Sequence, residues 1–276
     1  MNKQLYFYGK DSIKEFIDYI GKRSLKVLIV SGNSCKNIPI TKKIVSLLEE
    51  YVFFSDFSPN PTYESVKKGV ELFLKEGCEA ILAIGGGSAM DVAKCIKLFS
   101  TMRQDQLYLS QPFEENNIAL YAIPTTAGTG SESTEFAVIY YLGEKQSIAH
   151  SSLIPTAVLF EASSLETISD YQRRATMLDA LCHAIESFWS LKSTEESRNF
   201  SKEALQLIFN ARQDYLENTP DGNVNMLRAA NLAGKAINIA QTTAAHAMCY
   251  KVTSLYNIAH GHAAACILPE LWKLYF

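Results

Sequence analysis

The chain has 276 residues, of which 47% are hydrophobic and 20% charged, and its formal net charge is −3. These values are ordinary for a globular protein large enough for two domains, and the charge gives no reason to expect a nucleic-acid or membrane partner. No apolar run has the length of a signal-peptide core or a membrane span. Six scattered cysteines without a Cys-x-x-Cys pair are typical of buried thiols in a reducing compartment, so we expect a cytoplasmic protein.

The first half of the chain alternates short apolar runs with helical patterns. Strands are predicted at "KVLIVSGN", "YVFFSDF", "EAILAIGGGS" and "IALYAIPTT", and helices at "YESVKKGVELFLKEG", which stops at Gly77, and at "AMDVAKCIKLFS". This alternation predicts a parallel sheet covered by helices on both faces. We expect an α/β domain over residues 1–162.

From about Ser163 every apolar pattern has helical spacing. The predicted helices are "LDALCHAIESFWSLK", "SKEALQLIFNARQDYLE", "NMLRAANLAGKAINIAQTTAAHAMCYKVTSLY" and "HAAACILPELWKLYF". The stretch "NTPDGNV" is interpreted as a loop between two of them. We therefore expect an all-α second domain over residues 163–276.

Two loops at predicted strand ends have the composition of a nucleotide site. In "AIGGGSAMDVAK" a buried strand leads through Gly85, Gly86 and Gly87 into a helix, with Ser88 as its predicted N-cap. Glycines let the backbone approach a ligand, and a helix N-terminus offers free N–H groups to a diphosphate. Neither the G-x-G-x-x-G nor the P-loop pattern is met, so a tight strand–helix turn is the alternative.

The second loop, "IPTTAGTGSES", is rich in hydroxyl groups and glycine. Thr125, Thr126 and Thr129 could donate hydrogen bonds to ribose or phosphate, because ligands of open α/β sheets bind beyond the strand carboxyl ends. The alternative is a capped loop without a ligand.

A carboxylate and several histidines form a candidate metal site. Asp179 and His183 in "LDALCHAIES" are four residues apart and share a helix face. The apolar segments "TTAAHAMCY" and "IAHGHAAACILP" add His246 and the pair His260 and His262, of which at most one is expected to be a ligand. One carboxylate and three imidazoles could hold a divalent ion with room for a substrate oxygen, whereas the Asp–His pair alone could be a simple hydrogen bond.

Taken together, the motifs "PNPT", "GGGSAMD", "PTTAGTGSE", "DALCHAIES", "HAMCY" and "HGHAAACILP" resemble, in this order, the iron-containing (group III) alcohol dehydrogenases. The resemblance implies a dehydroquinate synthase-like fold, with a Rossmann-like nicotinamide-binding domain, a helical domain and a divalent metal, Fe(II) or alternatively Zn(II). It also implies a homodimer. The implied metal ligands are Asp179, His183, His246 and His260, and His262 matches none. The implied cofactor contacts are Asn60, Gly86, Gly87, Ser88, Asp91, Thr125, Thr126, Thr129 and Lys145.

Two departures from the family pattern bear on specificity. Gly32 stands where many members carry an aspartate that repels a 2′-phosphate, so we expect NADP(H) to be accepted as well as NAD(H). Tyr250 stands where many members have a second histidine, and together with "HAIESFWSLKSTEES" this is similar to the phosphonoacetaldehyde reductase branch. Lys235 and Lys251 are candidates to bind the phosphonate, unless both extend to solvent. Tyr250 is a candidate proton donor, as are metal-bound water and the ribose hydroxyls.

The expected function is therefore metal-dependent, NAD(P)H-linked reduction of a small aldehyde, phosphonoacetaldehyde, to a primary alcohol. The alternatives are a general short-chain alcohol or lactaldehyde-type dehydrogenase, an inactive nucleotide-binding homologue, and a related cyclase or polyol-phosphate dehydrogenase. The chain ends soon after the last implied ligand, where the family continues through further helices. We therefore expect a helical domain truncated at its C-terminus.

Overall fold

The computed structural model describes residues 4–22 and 26–275. These residues form two compact units. The first comprises the chain up to Thr125 together with Glu135–Ser164, and the second comprises Thr126–Thr134 and the chain from Leu165 onward. The prediction had placed the boundary after residue 162 and assigned the whole of "IPTTAGTGSES" to the first domain.

The first unit is built on a parallel sheet of six strands in the order β1-β8-β5-β4-β2-β3, beside a separate antiparallel hairpin of β6 and β7. The strands are β1 Leu5–Phe7, β2 Lys26–Val30, β3 Glu50–Phe54, β4 Ala80–Gly85, β5 Ala119–Pro124, β6 Phe136–Tyr141, β7 Glu144–Ala149 and β8 Ala157–Leu159. The helices of this unit are α1 Ser12–Gly21, α2 Pro39–Val45, α3 Tyr63–Lys75 and α4 Gly87–Phe99.

The central strands carry continuous apolar runs because both faces of the sheet are covered. All six residues of β4, "AILAIG", are buried, and so are four of the five residues of β2. Strands of this kind belong to parallel sheets, whereas a half-exposed strand would alternate. The last residue of β4, Gly85, pairs with Pro124 at the end of β5, so both strands deliver their following loops to one edge of the sheet.

The second unit contains five helices among the described residues, and α5 packs against α6, α7 and α9. Their bounds are α5 Asp170–Trp189, α6 Glu195–Leu216, α7 Pro220–Ala240, α8 Ala244–Tyr256 and α9 His260–Tyr275. Three of them begin at side-chain caps: Ser169 starts α5, Thr194 forms a capping box with Ser197 at α6, and Thr219 starts α7. Across the described residues, no helix is both long and apolar enough to cross a membrane.

The predicted fold class, an α/β domain with a parallel sheet followed by a helical domain, is confirmed. Three local predictions are wrong. The stretch "NTPDGNV" is largely helical, because α7 begins at Pro220, and proline is favoured at a first helical position. The long predicted helix is interrupted after Ala240, where Gln241 has φ 59°. Ser88 is not an N-cap, because α4 already begins at Gly87, after Gly86 as N-cap.

Candidate functional site

Helix α5 presents three buried polar residues on one face. Asp179, His183 and Glu186 follow one another at intervals of four and three residues, the spacing that brings side chains into line on a helix. Their exposed fractions are 3%, 6% and 0%. Burying three polar side chains costs free energy unless each of them has a partner. This face of α5 is therefore the candidate functional site of the helical unit.

Two imidazoles from other helices meet Asp179. His246, on the first turn of α8, and His260, the first residue of α9, each place a ring nitrogen so that these atoms and a carboxylate oxygen of Asp179 all lie within 4.8 Å of one another. His246 Nε2 is 3.5 Å from Asp179 Oδ1. Both atoms are buried without a hydrogen-bond partner in the described structure. Such orphaned atoms are rare in native interiors, and a cation bound between them would satisfy both.

His183, the fourth predicted ligand, lies beside this group rather than in it. Its ring stacks on that of His246, with centroids 4.3 Å apart and planes 16° apart. Its Nδ1 is 3.4 Å from the carbonyl oxygen of Gly128. The structure thus brings three of the four predicted ligands together and holds His183 in contact with one of them.

The electrostatics of the cluster follow from burial and pairing. Burial alone would raise the pKa of Asp179, but the neighbouring imidazoles outweigh it and hold that pKa well below its usual range. Burial would lower the pKa of His246, yet pairing with Asp179 and Glu186 raises it to about 9. For His183 burial prevails and lowers the pKa to about 4. A divalent cation at this point would take the place of the proton that His246 otherwise retains.

The donor set fits a divalent transition metal. Ligand atoms of a four-coordinate ion with bonds of about 2.1 Å lie about 3.4 Å apart, so small side-chain rotations would bring atoms now within 4.8 Å onto one ion. Carboxylate and imidazole together suit Fe(II) and Zn(II). An ion would also satisfy the orphaned Asp179 Oδ1 and His246 Nε2. Asp179, His246 and His260 would hold it, with His183 adjacent.

Glu186 was missed by the sequence analysis, although a signal was present. It lies seven residues after Asp179 and three after His183, so the same face of the same helix predicts it. Its carboxylate contacts His246 Nδ1. Burial opposes ionisation of Glu186, but hydrogen bonds from His246, Thr243 and Ala245 outweigh it and lower its pKa below the ordinary value.

In the first unit the glycine loop lies where β4 meets α4. Gly86, Gly87, Ser88 and Asp91 are all half-buried at or just after the start of that helix. The N-cap Gly86 has no side chain to accept from the N–H groups of the first turn, which are then available to a ligand. Thr125 is buried at the end of β5, where its N–H donates to the Gly85 carbonyl at 3.0 Å.

The remaining predicted cofactor residues lie outside the glycine loop. Asn60 is exposed in the loop between β3 and α3, with φ 57°, and Lys145 is exposed on β7. Thr126 and Thr129 fall in Thr126–Thr134, the segment that groups with the helical unit, and Thr129 Oγ1 accepts from Ser131 N at 3.3 Å. A Cβ added at Gly32 would meet nothing within 4 Å, so an aspartate would fit there sterically.

The predicted substrate residues occupy different environments on α7 and α8. Tyr250 is 40% exposed and its ring centroid is 4.9 Å from that of His260. Lys251 is exposed, and Lys235 is half-buried with its ammonium 5.6 Å from the centroid of Phe200. His262 is not part of the metal group. Its Nδ1 is 3.2 Å from the Tyr171 hydroxyl.

Comparison with models of known protein families identifies the family of this chain. The model for "Iron-containing alcohol dehydrogenase" matches residues 4–162, and the model for "Fe-containing alcohol dehydrogenase family, C-terminal" matches residues 174–276. The chain therefore belongs to the iron-containing alcohol dehydrogenase family of oxidoreductases.

Three known proteins illustrate what this chain is similar to. The chain is 31% identical to aldehyde-alcohol dehydrogenase 2 of Entamoeba histolytica, over 96% of this chain and 33% of that protein. It is 29% identical to the NADPH-dependent butanol dehydrogenase of Clostridium saccharobutylicum, over 97% of this chain and 71% of that protein. The crystal structure of sulfoacetaldehyde reductase from Bifidobacterium kashiwanohense with NAD+ superposes with a TM-score of 0.91 at 25% identity, over 99% of this chain and 76% of that one.

Proposed function

We propose that this protein catalyses the metal-dependent reduction of a small aldehyde to a primary alcohol, with NADH or NADPH as hydride donor. The observation that carries the proposal is the convergence of the buried Asp179 and His246 with the half-buried His260. One atom each of Asp179 and His246 has no hydrogen-bond partner. When bound, a divalent ion supplies Lewis-acid polarisation of the carbonyl oxygen and stabilises the charge that develops on it. Membership of the iron-containing alcohol dehydrogenase family supports the same reaction class.

The chain's own residues have distinct roles in this proposal. Asp179, His246 and His260 would hold the ion, with the predicted fourth ligand His183 adjacent, and the burial of Asp179 and His246 would keep water from competing for it. Tyr250, whose ring contacts that of His260, is the proposed proton donor to the alcohol oxygen.

The cofactor diphosphate is assigned to the backbone N–H groups at the start of α4. Gly86 and Gly87 allow close approach there, and the helix dipole favours the negative charge. The further contacts proposed from the family resemblance are Asn60, Ser88, Asp91, Thr125, Thr126, Thr129 and Lys145. Gly32 leaves open space rather than a carboxylate, which favours acceptance of NADP(H). One relative is named as NADPH-dependent, and another is crystallised with NAD+.

For the substrate we propose phosphonoacetaldehyde, reduced to 2-hydroxyethylphosphonate. The sulfoacetaldehyde reductase supports this choice, since its named substrate also joins an aldehyde to an anionic group. Lys235 is the better candidate for the anion, because it is half-buried, whereas Lys251 is exposed and would contribute a weaker, screened interaction.

A neutral alkanal is the second candidate. The ammonium of Lys235 already lies over the Phe200 ring, a cation–π contact that would compete with a phosphonate. The butanol dehydrogenase among the relatives acts on a neutral alcohol by its name.

The test is a substrate panel on protein loaded anaerobically with Fe(II). Phosphonoacetaldehyde, lactaldehyde and butanal are compared in NADH and NADPH oxidation. Lys235→Ala is expected to lower kcat/KM for the phosphonate at least tenfold and to leave butanal within about twofold, because one charge-assisted contact is worth about 1.5–3 kcal/mol. Lys202→Ala is the matched control, since Lys202 also sets its ammonium over a phenylalanine ring, that of Phe188. No oxidation with any aldehyde by Fe(II)-loaded protein would refute the reductase function. Equal losses for both substrates would refute only the phosphonate.

The resemblance also leads us to propose a homodimer located in the cytoplasm. Light scattering on the purified protein tests the dimer.

A further inference from the structure

The carboxylate of Glu186 is fully buried and connects α5 to the first turn of α8. Its Oε1 accepts three hydrogen bonds, from Thr243 N at 3.1 Å, Thr243 Oγ1 at 2.6 Å and Ala245 N at 2.9 Å. Helix α8 has no side-chain cap of its own, because the hydroxyl of its N-cap Thr243 donates to Glu186 instead of accepting from the helix. Glu186 therefore caps α8 from another helix.

The second oxygen of the same carboxylate contacts the metal-site imidazole. Glu186 Oε2 is the partner of His246 Nδ1. An ionised carboxylate can only accept, so Nδ1 must carry the hydrogen. In the neutral ring, which is the form that binds a metal, the other nitrogen, Nε2, then presents its lone pair, and it faces Asp179 Oδ1 at 3.5 Å. Metal-binding histidines commonly depend on such a carboxylate to fix their tautomer and ring orientation.

We propose that Glu186 is a positioning residue of the metal centre, which fixes His246 with Nε2 toward the ion and ties the helix carrying His246 to the helix carrying Asp179. This inference rests on the metal-dependent function proposed above. The one side chain makes both contacts because Glu186 shares a face of α5 with Asp179 and sits opposite the start of α8. Glu186 does not touch the ion in this proposal and acts through His246.

Glutamine at this position separates capping from tautomer control. In Glu186→Gln the amide oxygen can still accept from Thr243 and Ala245, and the amide nitrogen then faces His246 Nδ1. An NH2 group donates, so His246 would have to accept at Nδ1 and carry its hydrogen on Nε2, the wrong tautomer for the metal. In the reverse amide orientation the NH2 group would face the three donors of Thr243 and Ala245. That orientation is unfavourable because those donors would then have no acceptor.

The experiment measures Co(II) affinity by competition with a chromophoric chelator, together with the visible spectrum of bound Co(II). Glu186→Gln is expected to weaken Co(II) binding about 10- to 100-fold and to shift the spectrum. The metal-free Tm should fall no further than in Thr219→Ala, which removes the cap of α7 and should leave Co(II) affinity unchanged. In a His246→Ala background the Gln substitution should change affinity by less than about twofold, because its effect passes through His246.

The outcomes that overturn the inference are distinct from those that overturn the function. Wild-type affinity and spectrum in Glu186→Gln, or the same fold-loss with and without His246, would refute the positioning role alone. Absence of Co(II) binding by the wild type would refute the metal centre itself. If Glu186→Gln does not fold, ¹⁵N-histidine NMR of the wild type loaded with Zn(II) decides. The expected state of His246 has hydrogen on Nδ1, and hydrogen on Nε2 would refute the proposal.

Discussion

Substitution of Gly261 by alanine should damage the proposed metal centre through the backbone. Gly261 follows His260 at the start of α9, where an added Cβ would lie 2.1 Å from the carbonyl oxygen of Ala175 and 2.5 Å from Asp179 Cβ. Real Cβ contacts are essentially never under 3.0 Å, and a backbone oxygen of α5 cannot rotate away. Helix α9 must therefore retreat from α5 by roughly 1 Å, and His260 moves with it.

The size of the effect follows from two opposing contributions. Overpacking of this kind destabilises the folded state by about 1–3 kcal/mol, whereas replacing glycine by alanine inside a helix stabilises it by about 0.5–1 kcal/mol. We expect a net loss of about 1–2 kcal/mol in the free energy of unfolding of the metal-free protein. Metal–ligand distances tolerate only about 0.2 Å, so a shift of roughly 1 Å should weaken metal affinity by at least about tenfold.

Urea unfolding and a chelator competition measure the two quantities separately. Gly21→Ala, at the end of α1, is the matched control, because a Cβ there meets nothing within 4 Å and the substitution should be neutral or slightly stabilising. If Gly261→Ala kept both the stability and the metal affinity of the wild type, the argument that backbone contact between α5 and α9 sets the ligand geometry would be wrong.

Three further substitutions test other parts of the chain. Gly32→Asp should leave Tm unchanged, because the position is open, and should lower kcat/KM with NADPH at least tenfold while sparing NADH; equal use of NADPH would contradict this. Arg173→Met removes four hydrogen bonds that the buried guanidinium donates, three of them to buried oxygens, and should lower the free energy of unfolding by about 3 kcal/mol or more in urea titrations. Burial lowers the pKa of Lys97 from 10.5 to about 8, so the native state loses this proton before the unfolded chain does. The stability of the wild type relative to Lys97→Met should therefore rise between pH 8 and pH 10.5 by up to about 3 kcal/mol, and a flat difference would show that Lys97 is not desolvated.

The features that could be predicted from the sequence depend on residues that are close together in the chain. The pairing of Asp179 with His183 follows from one helical turn, and the burial of His246 follows from its small apolar neighbours. Strand–glycine–helix order located the loop after β4 for the same reason. The family motifs extended these local signals to His260, for which spacing gave no partner.

The features that could not be predicted from the sequence depend on contacts between segments that are far apart in the chain. Periodicity cannot show that β1 pairs with β8, where Leu5 lies opposite Ala157. Nor can it show that Glu186 reaches an imidazole 60 positions away. The break between α7 and α8 was missed because Gln241, unlike a glycine, gives no warning of a positive φ. His183 stacks on His246 instead of joining the group of three, which spacing along α5 alone does not determine.

The packing of the helical unit and the geometry of its polar cluster have a common cause. Asp179 has a short side chain, so it can meet ligands from α8 and α9 only if those helices approach α5 closely. The contacting surfaces accordingly include small buried residues, namely Ala175, Cys182, Ala245, Cys249, Ala263 and Ala264. Larger side chains would bury more apolar area and gain roughly 25 cal/mol for each additional Å². They would also separate the helices beyond the reach of an aspartate. The small-residue packing is therefore what the proposed site requires. It also explains why a single added methyl group at Gly261 should change the geometry of the proposed metal ligands.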